Sequence, residues 1–108
     1  MKTLLDSQRR DLIANHETTD MLTPVPIVKL FVCVGGNATW LLTELDPETN
    51  IAFGLCDLGL GFPELGYVSL TELEETLGWR LERDRHFVAT KTLVEYADDA
   101  RSKGMVVA

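Results

Sequence analysis

The chain has 108 residues, 45% of them hydrophobic and 25% charged, and its ten Lys and Arg against seventeen Asp and Glu give a formal charge of −7. That length suits one hydrophobic core rather than two, and the composition is far from that of a disordered chain. An acidic field repels nucleic-acid phosphates and anionic membranes, and no apolar run approaches the roughly 18 residues that span a bilayer, so a cytosolic protein without direct nucleic-acid contact is expected.

Residues 4–16 predict a helix, with Leu5, Leu12 and Ile13 at i, i+7 and i+8 and with Thr3 or Asp6 to cap it. Residues 17–20 end it, and Pro24 and Pro26 impose an extended approach to the first strand. Residues 27–34 (IVKLFVCV) form the most β-prone run, nearly apolar as a central strand buried on both faces would be, with Lys29 snorkelling or at a strand end. Gly35-Gly36-Asn37 supplies hairpin chemistry. In the strand at 38–45, Trp40, Leu42 and Glu44 share one face and Leu41, Thr43 and Leu45 the other. Residues 46–50 (DPETN) make a second hairpin loop. A third strand at 51–58 then sets Ile51, Phe53 and Leu55 against a small-residue face of Ala52, Gly54 and Cys56.

The loop 57–66 (DLGLGFPELG) carries three glycines, at 59, 61 and 66, yet Leu60, Phe62 and Leu65 are more apolar than a solvated loop needs. Either it folds back on the core or it presents an apolar contact surface. Its glycine spacing fits no nucleotide-binding motif, no Lys comes after it, and Asp57 with Glu64 would repel phosphate, so no nucleotide cofactor is expected. A short strand at 65–70 runs into Ser69-Leu-Thr-Glu72, a capping box that opens a helix over 70–77 stopped by Gly78. Residues 79–84 alternate charge as an exposed edge strand does. Thr90 caps a last helix over 91–103, buried through Leu93, Ala97 and Ala100, which Gly104 stops before a four-residue tail. The expected fold is a single α+β domain, 1–20 being a helix and connector and 24–104 the core: a four- or five-stranded, mainly antiparallel sheet covered by about three helices.

Charge is segregated along the chain. Residues 30–79 hold eight acids, Glu44, Asp46, Glu48, Asp57, Glu64, Glu72, Glu74 and Glu75, and not one Lys or Arg, while the flanks hold the other nine acids and all ten bases. Such a region attracts basic surfaces within a Debye length of about 8 Å at physiological salt. His16, Cys33, Cys56 and His86 lack the close-paired spacing that pre-forms a metal site, and both cysteines lie in apolar runs, as buried free thiols do. Asp57 and Glu64, with His86, offer an alternative: acid/base or hard-cation chemistry in a metal-assisted hydrolase or nuclease. Trp40, Trp79 and Phe62 are large enough to anchor an interface.

The segments PVPIVKLF, ATWLLTELDPE, IAFGLCDLG, GFPELGYVSL, LERDRHF and EYADDAR together resemble a family of small bacterial proteins catalogued only as a domain of unknown function. Members of that family occur on plasmids, phages and other mobile elements, so the resemblance implies a small accessory of a mobile element, and it brings no catalytic residues. The function expected is that of a non-catalytic acidic protein, a monomer or weak dimer without cofactor or metal. It would occupy the basic nucleic-acid groove of a host defence complex, as an inhibitor of anti-CRISPR or antirestriction type, through the eight acids of 30–79 with Trp40 and Phe62. A third reading is a structural subunit that docks through the 57–66 loop.

Overall fold

In the computed structural model, which describes residues 3–18 and 24–108, the apolar runs pair as one antiparallel sheet. Its strands are β1 (Val28–Val32), β2 (Thr39–Asp46), β3 (Ile51–Asp57), β4 (Glu64–Ser69) and β5 (Leu81–Arg83), in the order β4-β3-β2-β1-β5. The helices are α1 (Asp6–Glu17), α2 (Leu70–Leu77) and α3 (Leu93–Lys103). Strands β1 to β4 form a meander of successive hairpins. The chain then crosses one face as α2 and a 3-10 turn at Gly78–Arg80, which carries it from the β4 edge to the β1 edge, where β5 is added. The fold is the expected α+β domain, with five strands and three helices.

The sheet is packed on both sides. Leu12 of α1 and Leu70 of α2 bury one face with Val28, Leu30, Trp40, Leu42, Leu45 and Ala52. The other face, with Leu41 and Leu55, is covered by Leu93, Tyr96, Ala97 and Ala100 of α3 and by Val106. The tail thus belongs to the core, contrary to expectation: Val106 is buried, and Lys29 Nζ donates to the Ala108 carbonyl at 2.7 Å.

Strict alternation along β2 fails at one residue. Leu42 pairs with Gly54 and Glu44 with Phe53, which leaves Thr43 as a bulge. The extra residue turns Leu45 onto the face of Trp40 and Leu42, opposite to its expected side. Two contacts satisfy the bulge: Asn15 Nδ2 of α1 donates to the Thr43 carbonyl at 2.8 Å, and Thr43 Oγ1 donates to the Phe53 carbonyl at 3.3 Å. Gly54 lies against it with no room for a Cβ, which would collide with the Leu41 carbonyl oxygen and come within 2.9 Å of Leu42 Cα.

Asn50 closes the β2–β3 hairpin in left-handed backbone geometry, φ 59°. Its side chain accepts from Arg9 Nη1 at 3.1 Å and donates to Thr71 Oγ1 at 3.0 Å, so one turn residue ties α1 and α2 to the sheet. The capping assignments shift slightly. Ser69 Oγ accepts from the Glu72 amide at 3.2 Å as expected, but α3 is capped by Thr92, in a box with Glu95, while the Thr90 amide donates to the Tyr96 hydroxyl. The cap position of α1 is Leu5, not Thr3 or Asp6, and the expected terminator of that helix lies partly outside the described residues. The run at 27–34 holds strand geometry only to Val32, so Cys33 is exposed rather than buried.

A Gly54→Ala substitution should cost about 1–3 kcal/mol or more, as overpacking against fixed backbone does. Urea denaturation would check this, and a change within a few tenths of a kcal/mol would mean that β2 approaches β3 less closely than described.

Candidate interaction surface

The acids of the base-free span do not lie in one field. Glu44, Asp46 and Glu48 sit at the β2–β3 hairpin, where two of them lie beside an imidazole of α1: His16 Nδ1 lies 3.4 Å from Glu44 Oε1, and its Nε2 lies 4.0 Å from Asp46 Oδ2. The Glu44 side chain is only 13% exposed. Asp46 Oδ1 also accepts from the Glu48 amide at 2.9 Å, so part of this group builds the turn. Glu64 stands exposed at the start of β4, towards the opposite end of the sheet, and α2 carries Glu72 and Glu75 exposed and Glu74 half-buried.

Two expected contact residues are structural. Trp40 is 3% exposed, under the helices with Leu42 and Leu30, because its strand position faces the α1 and α2 side. Asp57 is also 3% exposed, and both its carboxylate oxygens are taken: Oδ1 by the Gly59 amide at 2.8 Å and Oδ2 by the Val106 amide at 2.9 Å. It shapes the start of the glycine loop and holds the tail.

The alternative catalytic cluster does not assemble. Glu64 is on β4 and His86 lies just beyond β5, and these edge strands stand four strand spacings apart, roughly 19 Å. Among the described residues no three His, Cys, Asp or Glu side chains come together so as to hold a metal ion. His86 instead lines a groove of about 790 Å3 beside β1 and β5, with Phe31, Lys29 and Asp84. Lys29 in that groove is engaged by Asp84 at 3.5 Å. Burial raises the half-buried Cys56 thiol to about 11, so it stays protonated and is a poor nucleophile.

What the fold gathers is apolar. Three connections meet at one end of the sheet: the β1–β2 turn, the β3–β4 loop and the 3-10 turn before β5. The Asn37 side chain lies over Gly59 where a Cβ would collide, and the Cys33 amide donates to the Arg80 carbonyl at 2.9 Å. From this end project Phe62, 79% exposed, Leu60, 72%, and Trp79, 68%, with Leu58 and Val34 also exposed. The 57–66 loop therefore presents Leu60 and Phe62, while Leu65 packs against the core beneath α3. Leu60 and Phe62 are neighbouring exposed apolar side chains of one loop, and grouped residues of that kind mark interaction sites more often than scattered ones do. Beneath the loops, towards α2, lies a groove of about 420 Å3 lined by Trp40, Leu58, Leu73 and Leu77, with Glu72 and Arg80.

Trp79, expected within a strand at 79–84, lies before β5 instead. Gly78, at φ 53°, breaks α2 and starts a 3-10 turn that turns the indole outward. A glycine directly before a tryptophan at a helix end is the available signal.

A family model described as "Protein of unknown function (DUF2958)" matches residues 3–107, a span that includes all five strands and three helices. The chain belongs to that family. No curated protein and no solved structure matches it. The apolar end of the sheet thus belongs to a DUF2958 domain, whose description assigns no chemistry. Among the described residues no helix is long and apolar enough to cross a membrane.

These contacts can be tested in two ways. Asp57→Ala should free the Val106 amide and lower stability by about 1–3 kcal/mol; hydrogen exchange at Val106 should quicken, and unchanged protection there would contradict the clamp. Separately, four carboxylates are held below their ordinary range: Asp46 chiefly by the Glu48 amide, Asp84 by the His86 amide and then Lys29, Glu95 by the Thr92 amide and hydroxyl, and Asp99 by Lys103. Below the ordinary value the unfolded chain binds more protons than the folded one. Their contribution is therefore complete above about pH 5 and is lost as pH falls through the folded values. Urea titrations from pH 7 to 2 should show that acid limb, flatter in Asp84→Asn; a variant with the wild-type slope would remove Asp84 from the account.

Proposed function

We propose that this protein is a non-catalytic inhibitor carried by a mobile element, one that docks on the basic surface of a host nucleic-acid-binding complex, in the manner of an anti-CRISPR or antirestriction protein. The observation that carries the reading is the 57–66 loop, where Leu60 and Phe62 stand exposed, within the same part of the chain that holds Glu64, Glu72 and Glu75. Aromatic and aliphatic anchors supply affinity when a partner desolvates them, whereas acids at their margin supply approach rate and choice of a basic partner. This differs from a purely electrostatic decoy. Trp40 and Asp57 are buried, and Glu44 and Asp46 lie beside His16 at the far hairpin, so the docking surface is narrower than the eight-acid span and has an apolar centre.

The test is capture from host lysate with three proteins side by side: wild type, a Leu60→Ser, Phe62→Ser variant, and a Glu72→Gln, Glu75→Gln variant. The wild type should recover a nucleic-acid-binding complex and displace duplex DNA from it. The loop variant should weaken recovery by about tenfold or more, and the helix variant should lose most of its advantage at low salt. If the recovered partner binds no nucleic acid and depends on the loop alone, the structural-subunit reading takes its place. Indifference to both variants ends the proposal.

A further inference from the structure

The two edges of the sheet are built differently. At one edge β5 is three residues long, carries Glu82 and Arg83, and is bounded by a 3-10 turn. Short length and charge are the usual defences of an edge strand. At the other edge β4 has six residues, ELGYVS, with one charge, no proline, and a regular register to β3. Apart from Glu64 at its start, those defences are lacking.

The register also fixes which backbone groups face outward. The Leu70 amide donates to the Asn50 carbonyl at 3.0 Å, continuing the ladder in which Val68 faces Ala52 and Gly66 faces Gly54. Hydrogen-bonded pairs alternate in an antiparallel ladder, so Val68 and Gly66 turn their amides towards β3 while Leu65 and Tyr67 turn theirs away. Among the described residues, no hydrogen bond occupies the backbone groups of Leu65 or Tyr67 on that outer side. The two faces of the strand differ as well. Leu65 and Tyr67 lie on the α3 side, Tyr67 edge-on to Phe53 at 5.0 Å and 74% exposed. On the α2 side stand Glu64 and Gly66, and a Cβ at Gly66 would meet nothing within 4 Å.

We propose that the β4 edge is a strand-addition site for an extended basic segment of a partner protein, in which Lys or Arg alternates with β-branched or aromatic residues. The alternation comes from the pleat: basic residues of the incoming strand lie beside Glu64 and over the bare surface at Gly66, and apolar residues pack across from Leu65 and Tyr67. Charge selects against a second copy. Residues 30–79, which include β3, β4 and α2, contain no Lys or Arg, so a second copy would bring no base to the Glu64 of this edge, only another Glu64. The site rests on the proposed inhibitor function only in taking the partner to be basic.

A synthetic peptide of about eight residues, alternating lysine with valine and threonine, tests it against the full chain, with a glutamate-for-lysine peptide as control. Amide exchange followed by NMR should slow at Leu65 and Tyr67 by about tenfold or more on saturation with the lysine peptide. Tyr67→Pro removes one outward donor without touching the ladder to β3, and Tyr67→Lys adds a repelling charge at an exposed position; each should weaken binding by about tenfold or more. Because the lysine variant keeps the backbone donor and gives up only the edge contact of a mostly exposed ring with Phe53, it remains informative if the proline variant unfolds. Equal binding of the two peptides, protection elsewhere, or wild-type affinity in Tyr67→Lys would overturn the site. Protection of the same two amides that grows with protein concentration, without peptide, would make the occupant a second copy and overturn the basic assignment. Failure of the peptide leaves lysate capture through Leu60 and Phe62 untouched, so the two readings fall separately.

Discussion

The packing of both faces depends on one extra residue in β2. With Thr43 accommodated as a bulge, Leu42 and Leu45 both reach the core beneath α1 and α2, while Leu41 stays with α3 on the other side. The bulge needs a partner strand that can come unusually close and a donor for the carbonyl it frees. Gly54 meets the first need and Asn15 the second. A buried carbonyl without a donor costs about 1–3 kcal/mol, so α1 is coupled to the sheet by a polar contact as well as by Leu12. Asn50 repeats the arrangement at the hairpin, where one side chain engages both Arg9 and Thr71. Two asparagines thus set how the helices sit on the sheet.

Strand runs, turns and helix stops are legible in the sequence because each rests on local chemistry. The α2 span is legible to the residue, since Ser69 and Gly78 mark its two ends with side-chain and backbone preferences that need no tertiary context. Thr92 rather than Thr90 caps α3 because Glu95, three residues on, closes a capping box with it, a local signal that Thr90 lacks, and the Tyr96 hydroxyl takes the Thr90 amide. Other errors arise where a distant partner decides. The bulge is invisible because alternation within β2 is indifferent to what β3 can accept. The tail looks disposable, and it is held by Asp57, 49 positions away.

The candidate site is legible as chemistry and not as placement. The apolar excess in 57–66 points to a contact surface, and Phe62 is there. The acidic span suggests one surface, but a sheet sends alternate residues to opposite sides and a loop can draw a carboxylate inward, so eight acids divide into turn formers, one buried clamp and a few exposed charges. Counting charge along a chain sets the sign of a region. It does not set the shape of the field, which here loses the buried Asp57 and divides between the two ends of the sheet.

The position of β5 has a consequence for how the chain comes together. The meander β1 to β4 needs only short hairpin connections, but β5 pairs with β1 across roughly fifty intervening residues, and α2 must first cross the sheet. Local pairings form before distant ones, because the entropy of closing the loop is spent before the contact is made. Until β5 arrives, β1 is an open edge in which Lys29 is the one charge among Val28, Leu30, Phe31 and Val32. The three residues of β5 therefore serve as a late cover for the strand with the greatest tendency to pair with the wrong neighbour, and their charges then face outward in its place.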